Sequence, residues 1–128
     1  MSGDNVKGSV LIVDDEEAIR RVFTRFLEMD GFAVATAGSA EEGAALVKER
    51  GGFDVVLTDY HLPGMSGLEL AEQVVLLAPA ARVILLSGAP SDLSDERAKA
   101  LHIFSFLAKP ARGAALVAMV RDALAATI

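Results

Sequence analysis

The chain has no cysteine and no tryptophan, and only one tyrosine and four prolines among 128 residues. Without cysteine there is no disulfide framework, no thiolate metal site and no thiol nucleophile. No charge-free stretch exceeds ten residues, whereas a membrane-spanning helix needs about 20 apolar ones, so no such span is expected. The start lacks a basic segment leading into an apolar core, and nothing there reads as a signal peptide. A soluble cytoplasmic protein is the expectation. Positive charge is not in excess either: 12 Lys and Arg stand against 18 Asp and Glu, a formal net charge of −6. Direct nucleic-acid binding needs a positive footprint and is not expected.

What is present is mostly apolar. A hydrophobic fraction of 52% against 23% charged excludes a disordered acidic tail and suits one domain with one core. Residues 1–8 read as a loosely held polar lead-in and 9–128 as the domain. Five short apolar runs recur, at Ser9–Val13, Phe32–Thr36, Asp54–Thr58, Arg82–Leu86 and Phe104–Leu107. They are near-continuous rather than alternating, the pattern of strands covered on both faces of a parallel sheet. Helical spacing fills the gaps. Ile19, Val22, Phe23, Phe26 and Leu27 form one stripe, and Leu116, Met119, Val120, Ala123 and Leu124 repeat it.

Helix starts and stops are marked as well. Ser39 with Glu42, and Ser66 with Glu69, each spell a capping box. Gly31 and the Gly51-Gly52 pair follow the first two helices where a left-handed residue ends a helix. The fourth helix, between Ser91 and His102, has only Leu93, Ala98 and Leu101 as an apolar stripe and is expected to be the most mobile. Strand and helix alternate five times. Right-handed crossovers then divide the helices between both faces, giving an α/β doubly wound (βα)5 five-stranded parallel sheet of order 2-1-3-4-5, flavodoxin-like in topology.

Sites in such sheets form at the carboxyl ends of the strands. Asp14-Asp15 follow the first strand, Asp59 ends the third, Ser87 the fourth, and Lys109-Pro110 the fifth. Taken singly, each has a plain reading: a helix N-terminus for the acid pair, turns for Asp59, Ser87-Gly88 and Lys109-Pro110. Their joint arrival at neighbouring strand ends does not. Clustered carboxylates raise one another's pKa and cost stability unless a cation sits between them. Hard oxygen ligands with open positions suit Mg2+.

These residues are similar to the receiver domains of two-component response regulators, in the CheY-like superfamily. The resemblance covers residues 9–127 and rests on V-L-I-V-D-D-E-E at 10–17, L-T-D-Y-H-L-P-G-M-S-G at 57–67, L-L-S-G-A at 85–89 and F-L-A-K-P at 106–110. It implies that Asp59 is the phospho-acceptor, that Mg2+ is held by Asp14, Asp15, Asp59 and the His61 backbone carbonyl, and that Ser87 and Lys109 meet the phosphoryl oxygens. It also implies a cis bond before Pro110 and a switch in which Ser87 moves and Phe106 turns inward. The protein is then no enzyme toward external substrates, but a phosphorelay switch that assists its own phosphorylation and dephosphorylation. The implied input partner is a histidine kinase or histidine phosphotransfer protein, docking on the first helix and the loop after the fifth strand. The output is a downstream protein or a homodimer, through the fourth helix, fifth strand and fifth helix.

The chain departs from the family pattern at His102-Ile103, where Gly-Ala is common, at Ser105, and at Ser87, where Thr is frequent. His61 and Ala89 flank the site where water access is set, and both histidines read as surface residues rather than phosphocarriers. The apolar end at 123–128 reads as core because Leu124 continues the last stripe. With no effector region after the last helix, the chain reads as a stand-alone receiver or a piece of a longer kinase or regulator. Other classes are weaker. An aspartyl-phosphate hydrolase wants a second Asp two positions after the nucleophile, where His61 stands. A flavin or dinucleotide site wants a Gly-rich loop after the first strand. A receiver-fold interaction module that is never phosphorylated is the remaining alternative.

Overall fold

A computed structural model describes residues 7–87 and 94–126. Its elements run β1 (Ser9–Val13), α1 (Glu17–Met29), β2 (Ala33–Ala37), α2 (Ala40–Arg50), β3 (Val55–Asp59), α3 (Gly67–Leu77), β4 (Arg82–Ser87), α4 (Asp95–Ala100), β5 (Ile103–Ala108) and α5 (Gly113–Ala125). All strands pair in parallel in the order β2-β1-β3-β4-β5, as the alternating pattern predicts.

The two faces of the sheet bury separate cores. Val10, Ile12, Val55, Leu57, Ile84 and Leu86 pack with Phe23 and Leu27 of α1 and Leu116 and Val120 of α5. Leu11, Val13, Val56, Val83 and Leu85 point the other way, toward α2, α3 and the end of α4. Alternation along each strand therefore feeds both faces, which is why the runs look continuous in sequence. β3 is the central strand, flanked by β1 and β4, so residues just beyond these three stand in the middle of the sheet's carboxyl edge.

Local chemistry sets the boundaries. Ser66 and Glu69 complete a capping box at α3. At α2 the box is half made: Ser39 accepts from the Glu42 N–H, but the Glu42 carboxylate reaches one residue further back, to the Gly38 N–H at 2.9 Å. Ser94 caps α4 by accepting from Arg97 N–H. Of the stripe on α1, Phe23 and Leu27 are buried, whereas Val22 and Phe26 remain 46% and 42% exposed. At the other terminus Ala123 is buried and Leu124 packs beside it in the same core, while 127–128 lie outside the described residues.

One feature was not visible in sequence. The β4–β5 register shifts between Val83 and Ile84, leaving Phe104 as an extra residue in β5. This bulge reverses the alternation, so Ile103 and Phe106, three residues apart, face the same core. The turn after α4 is unusual, as the departure from Gly-Ala suggests: His102 adopts φ 58°. The thin α4 stripe is confirmed in part, with Ala98 half-buried and Leu101 buried; Leu93, Gly88 and Ala89 lie outside the described residues. Of the lead-in, 1–6 also lie outside them, but the Lys7 N–H donates to the Gly31 carbonyl and the Gly8 carbonyl accepts from Ala33.

Candidate functional site

Parallel pairing aligns the strand ends and so delivers their flanking residues to one edge. Asp14 follows β1, Asp59 ends β3, Ser87 ends β4 and Lys109 follows β5. Asp14 and Asp59 are 1% and 4% exposed, and Ser87 is buried. Asp15 is exposed beside them. Ligand-type oxygens of Asp14, Asp15 and Asp59 all lie within 4.8 Å of one another. The Lys109 ammonium donates to Asp59 Oδ2 at 2.6 Å, and the Lys109-Pro110 bond that follows is cis, as the resemblance implies. The Lys109 N–H is bonded to the Ser87 carbonyl at 3.0 Å, which fastens the ends of β4 and β5 together.

The acid pair does not act as a helix cap. Glu16 holds the N-cap position of α1 without a side-chain bond to it, and Asp14 Oδ1 accepts the Glu16 N–H at 2.9 Å. Asp14 Oδ2 is buried with no hydrogen-bond partner. Burial, foremost, pushes the Asp14 carboxyl above its ordinary range. The Glu16 N–H opposes that rise, the Asp59 charge adds to it, Lys109 opposes it and Asp15 adds again. On Lys109, burial works against the ammonium, but the hydrogen bond and charge of Asp59, with Asp14 and Glu16, outweigh it and raise its pKa.

A buried, unpartnered carboxylate oxygen beside two further carboxylates is costly unless a cation completes it. The donor set, all hard oxygen on three carboxylates, fits a divalent cation of the Mg2+ class. Asp14, Asp15 and Asp59 are the side chains that would hold it.

Further residues complete the pocket. The His61 N–H donates to Asp59 Oδ1 at 3.2 Å, and its exposed ring lies tilted against Tyr60. Gly67 opens α3 directly under the Asp59 carbonyl; a Cβ there would collide with that backbone. Arg20 of α1 reaches the Asp14 carbonyl at 2.6 Å, and buried Thr58 donates to the Asp59 carbonyl at 3.1 Å. Arg20 lies outside the quoted motifs, and Thr58, inside the one at 57–67, was given no role in it; the packing of α1 and the pleat of β3 bring them here. Phe106 stands partly buried on the α4 side of β5.

A family model for the response regulator receiver domain matches residues 10–121. The chain belongs to that family. It is 36% identical over 118 residues to the transcriptional regulatory protein YkoG of Bacillus subtilis, covering 92% of this chain and 51% of that protein. It is 32% identical over 117 residues to the sensor kinase CckA of Brucella abortus, covering 91% of this chain and 12% of that one. This receiver thus spans about half or less of the curated relatives it matches here, which include response regulators and kinases. Among solved structures it is similar to a CheY-like receiver domain from Methanospirillum hungatei, with TM-score 0.83, 30% identity and 91% and 93% of the two chains covered. A receiver domain from Clostridium thermocellum gives TM-score 0.81 at 30% identity, covering 91% and 94%. Receiver domains belong to two-component systems. Among the described residues, no helix is long and apolar enough to cross a membrane.

Proposed function

We propose that this receiver is a phosphorylation-controlled switch whose acceptor is Asp59. The observation that carries the reading is the carboxylate trio within 4.8 Å, with the Lys109 ammonium 2.6 Å from Asp59. Phosphoryl transfer is chiefly positioning and charge neutralisation. In the proposed step an Asp59 carboxylate oxygen attacks the phosphorus of a phosphohistidine. The P–N bond breaks, its electron pair leaves on the imidazole nitrogen, and an acyl phosphate remains. Lys109 supplies a fixed positive charge, and the Ser87 hydroxyl a donor, to the phosphoryl oxygens. Asp14, Asp15, Asp59 and the His61 carbonyl would hold Mg2+, which when bound neutralises charge on the transferring group.

The phosphoryl group carries roughly −1.5 to −2 charges at the sheet edge, in place of the single charge of the carboxylate it esterifies. Ser87 moves toward it, and Phe106, placed by the bulge on the α4 side, turns into the space vacated. That reshapes the α4–β5–α5 face for a downstream protein or a second copy. Input comes from a histidine kinase or histidine phosphotransfer protein. Support for docking near α1 is its exposed Val22 and Phe26, and a groove of about 290 Å³ lined by Ile19, Phe23, Leu86, Pro110 and Ala111.

Incubation with Mg2+ and acetyl phosphate, read by intact mass, tests the assignment. Wild type gains one phosphoryl group and Asp59→Asn gains none. A wild type that stays unlabelled favours the alternative, a receiver-fold interaction module not regulated by phosphorylation.

A further inference from the structure

Loop 60–66 leaves the sheet at Tyr60, whose N–H donates to the Leu86 carbonyl at 2.8 Å, and ends at Ser66 in the α3 capping box. Between these anchors the loop carries His61, whose N–H meets Asp59 and whose carbonyl is assigned above to the cation. Buried Leu62 anchors the loop from below. From the side, the Met65 N–H donates to Glu41 Oε2 at 3.2 Å. Glu41 lies in the first turn of α2, 24 positions earlier in the chain. Gly64, at φ +75°, lies under the same carboxylate: a Cβ there would stand 3.1 Å from Glu41 Oε2. Its neighbour Glu42 is committed to the start of α2 through Gly38. Among the described residues, no ion pair engages Glu41. Its carboxylate therefore serves the loop.

We propose that Glu41 is a positioning residue for the cation site, holding loop 60–66 against α2 so that the His61 carbonyl is already in place for the metal. The inference rests on the reading of Asp14, Asp15 and Asp59 as that site. A loop fixed before binding spares the ordering entropy that a free one would lose on binding. Groups that orient a metal's ligands commonly change affinity by about 10–100-fold when removed.

The test compares wild type, Glu41→Ala and Glu41→Gln. Tyr60, the single tyrosine in a chain without tryptophan, adjoins Asp59, and its fluorescence is expected to follow Mg2+ titration. Acetyl phosphate labelling at saturating and limiting Mg2+ follows the chemistry, and melting curves follow the fold. Glu41→Ala is expected to weaken Mg2+ by about tenfold and to slow labelling at limiting Mg2+, with the saturating rate kept. Glu41→Gln retains an amide oxygen for the Met65 N–H and is expected to match wild type. An unchanged Mg2+ affinity in Glu41→Ala, even with a lowered melting temperature, makes the contact a structural staple and overturns the proposal. A Glu41→Gln as weak as Glu41→Ala overturns it too, since charge rather than the hydrogen bond would then matter. Wild type with no response to Mg2+ refutes the site reading itself, and this inference with it.

Discussion

Replacing Asp14 by Asn should stabilise the metal-free protein at neutral pH. Asp14 is 1% exposed, and its Oδ2 has no partner. Two unit charges at the 4.8 Å limit of this cluster repel by about 3.5 kcal/mol at an effective dielectric constant near 20. Lys109 offsets part of that, so a net gain of about 1–2 kcal/mol is expected. Asn keeps an oxygen for the Glu16 N–H and places an amide donor where Oδ2 stood. Melting curves in EDTA should rise by about 4–8 °C. Saturating Mg2+ should reverse or close the gap: a ligand at a hundredfold excess over its Kd stabilises by about 2.7 kcal/mol, and the variant has lost a ligand. pH separates charge from packing. With the Asp14 pKa raised on folding, its favourable contribution is full below the unfolded value of 3.8 and is lost as pH rises through the folded one. The advantage of Asp14→Asn should therefore fade on acidification. A variant that melts at or below wild type in EDTA at neutral pH would show that the Asp14 charge does not destabilise the metal-free fold.

Lys109→Ala should slow acetyl phosphate labelling by about a hundredfold, in the range for losing one preorganised donor to a developing charge, while Tyr60 fluorescence still reports Mg2+. An unchanged labelling rate would remove Lys109 from the chemistry. His102→Gly relieves a left-handed backbone that costs a β-carbon residue about 1–2 kcal/mol, against up to about 1 kcal/mol of added unfolded-state freedom. A net gain of about 0.5 kcal/mol should raise the urea midpoint at constant slope. A lowered midpoint would show that the His102 side chain contributes more than its backbone costs.

The strand order, and the gathering of the candidate residues at one edge, were legible because the element pattern is written in short-range signals. Continuous apolar runs show that each strand is covered on both faces, and parallel pairing then takes Asp14, Asp59, Ser87 and Lys109 to one edge without further information. The hydroxyl caps at Ser39 and Ser66 are as local. The bulge at Phe104 is different: nothing in I-F-S-F-L-A marks which residue goes unpaired, since that is decided by the register against β4. Glu42 reaching Gly38 instead of Ser39 is a choice between two adjacent N–H groups. Glu41 meeting Met65, Arg20 meeting the Asp14 carbonyl, and Arg97 of α4 meeting Glu72 of α3 join separate elements. Such contacts follow from where helices settle on the sheet, and no spacing along the chain encodes them.

Whether Asp59 is the side chain that takes the phosphoryl group can be read by site-resolved chemistry. Borohydride reduction after acetyl phosphate treatment converts an acyl-phosphorylated aspartate to homoserine, which peptide mass spectrometry locates. Homoserine is expected at position 59 in Mg2+, and none there in EDTA or in Asp59→Asn. Phosphate found on His61 or a serine instead, or labelling that persists in Asp59→Asn, would contradict Asp59 as the acceptor.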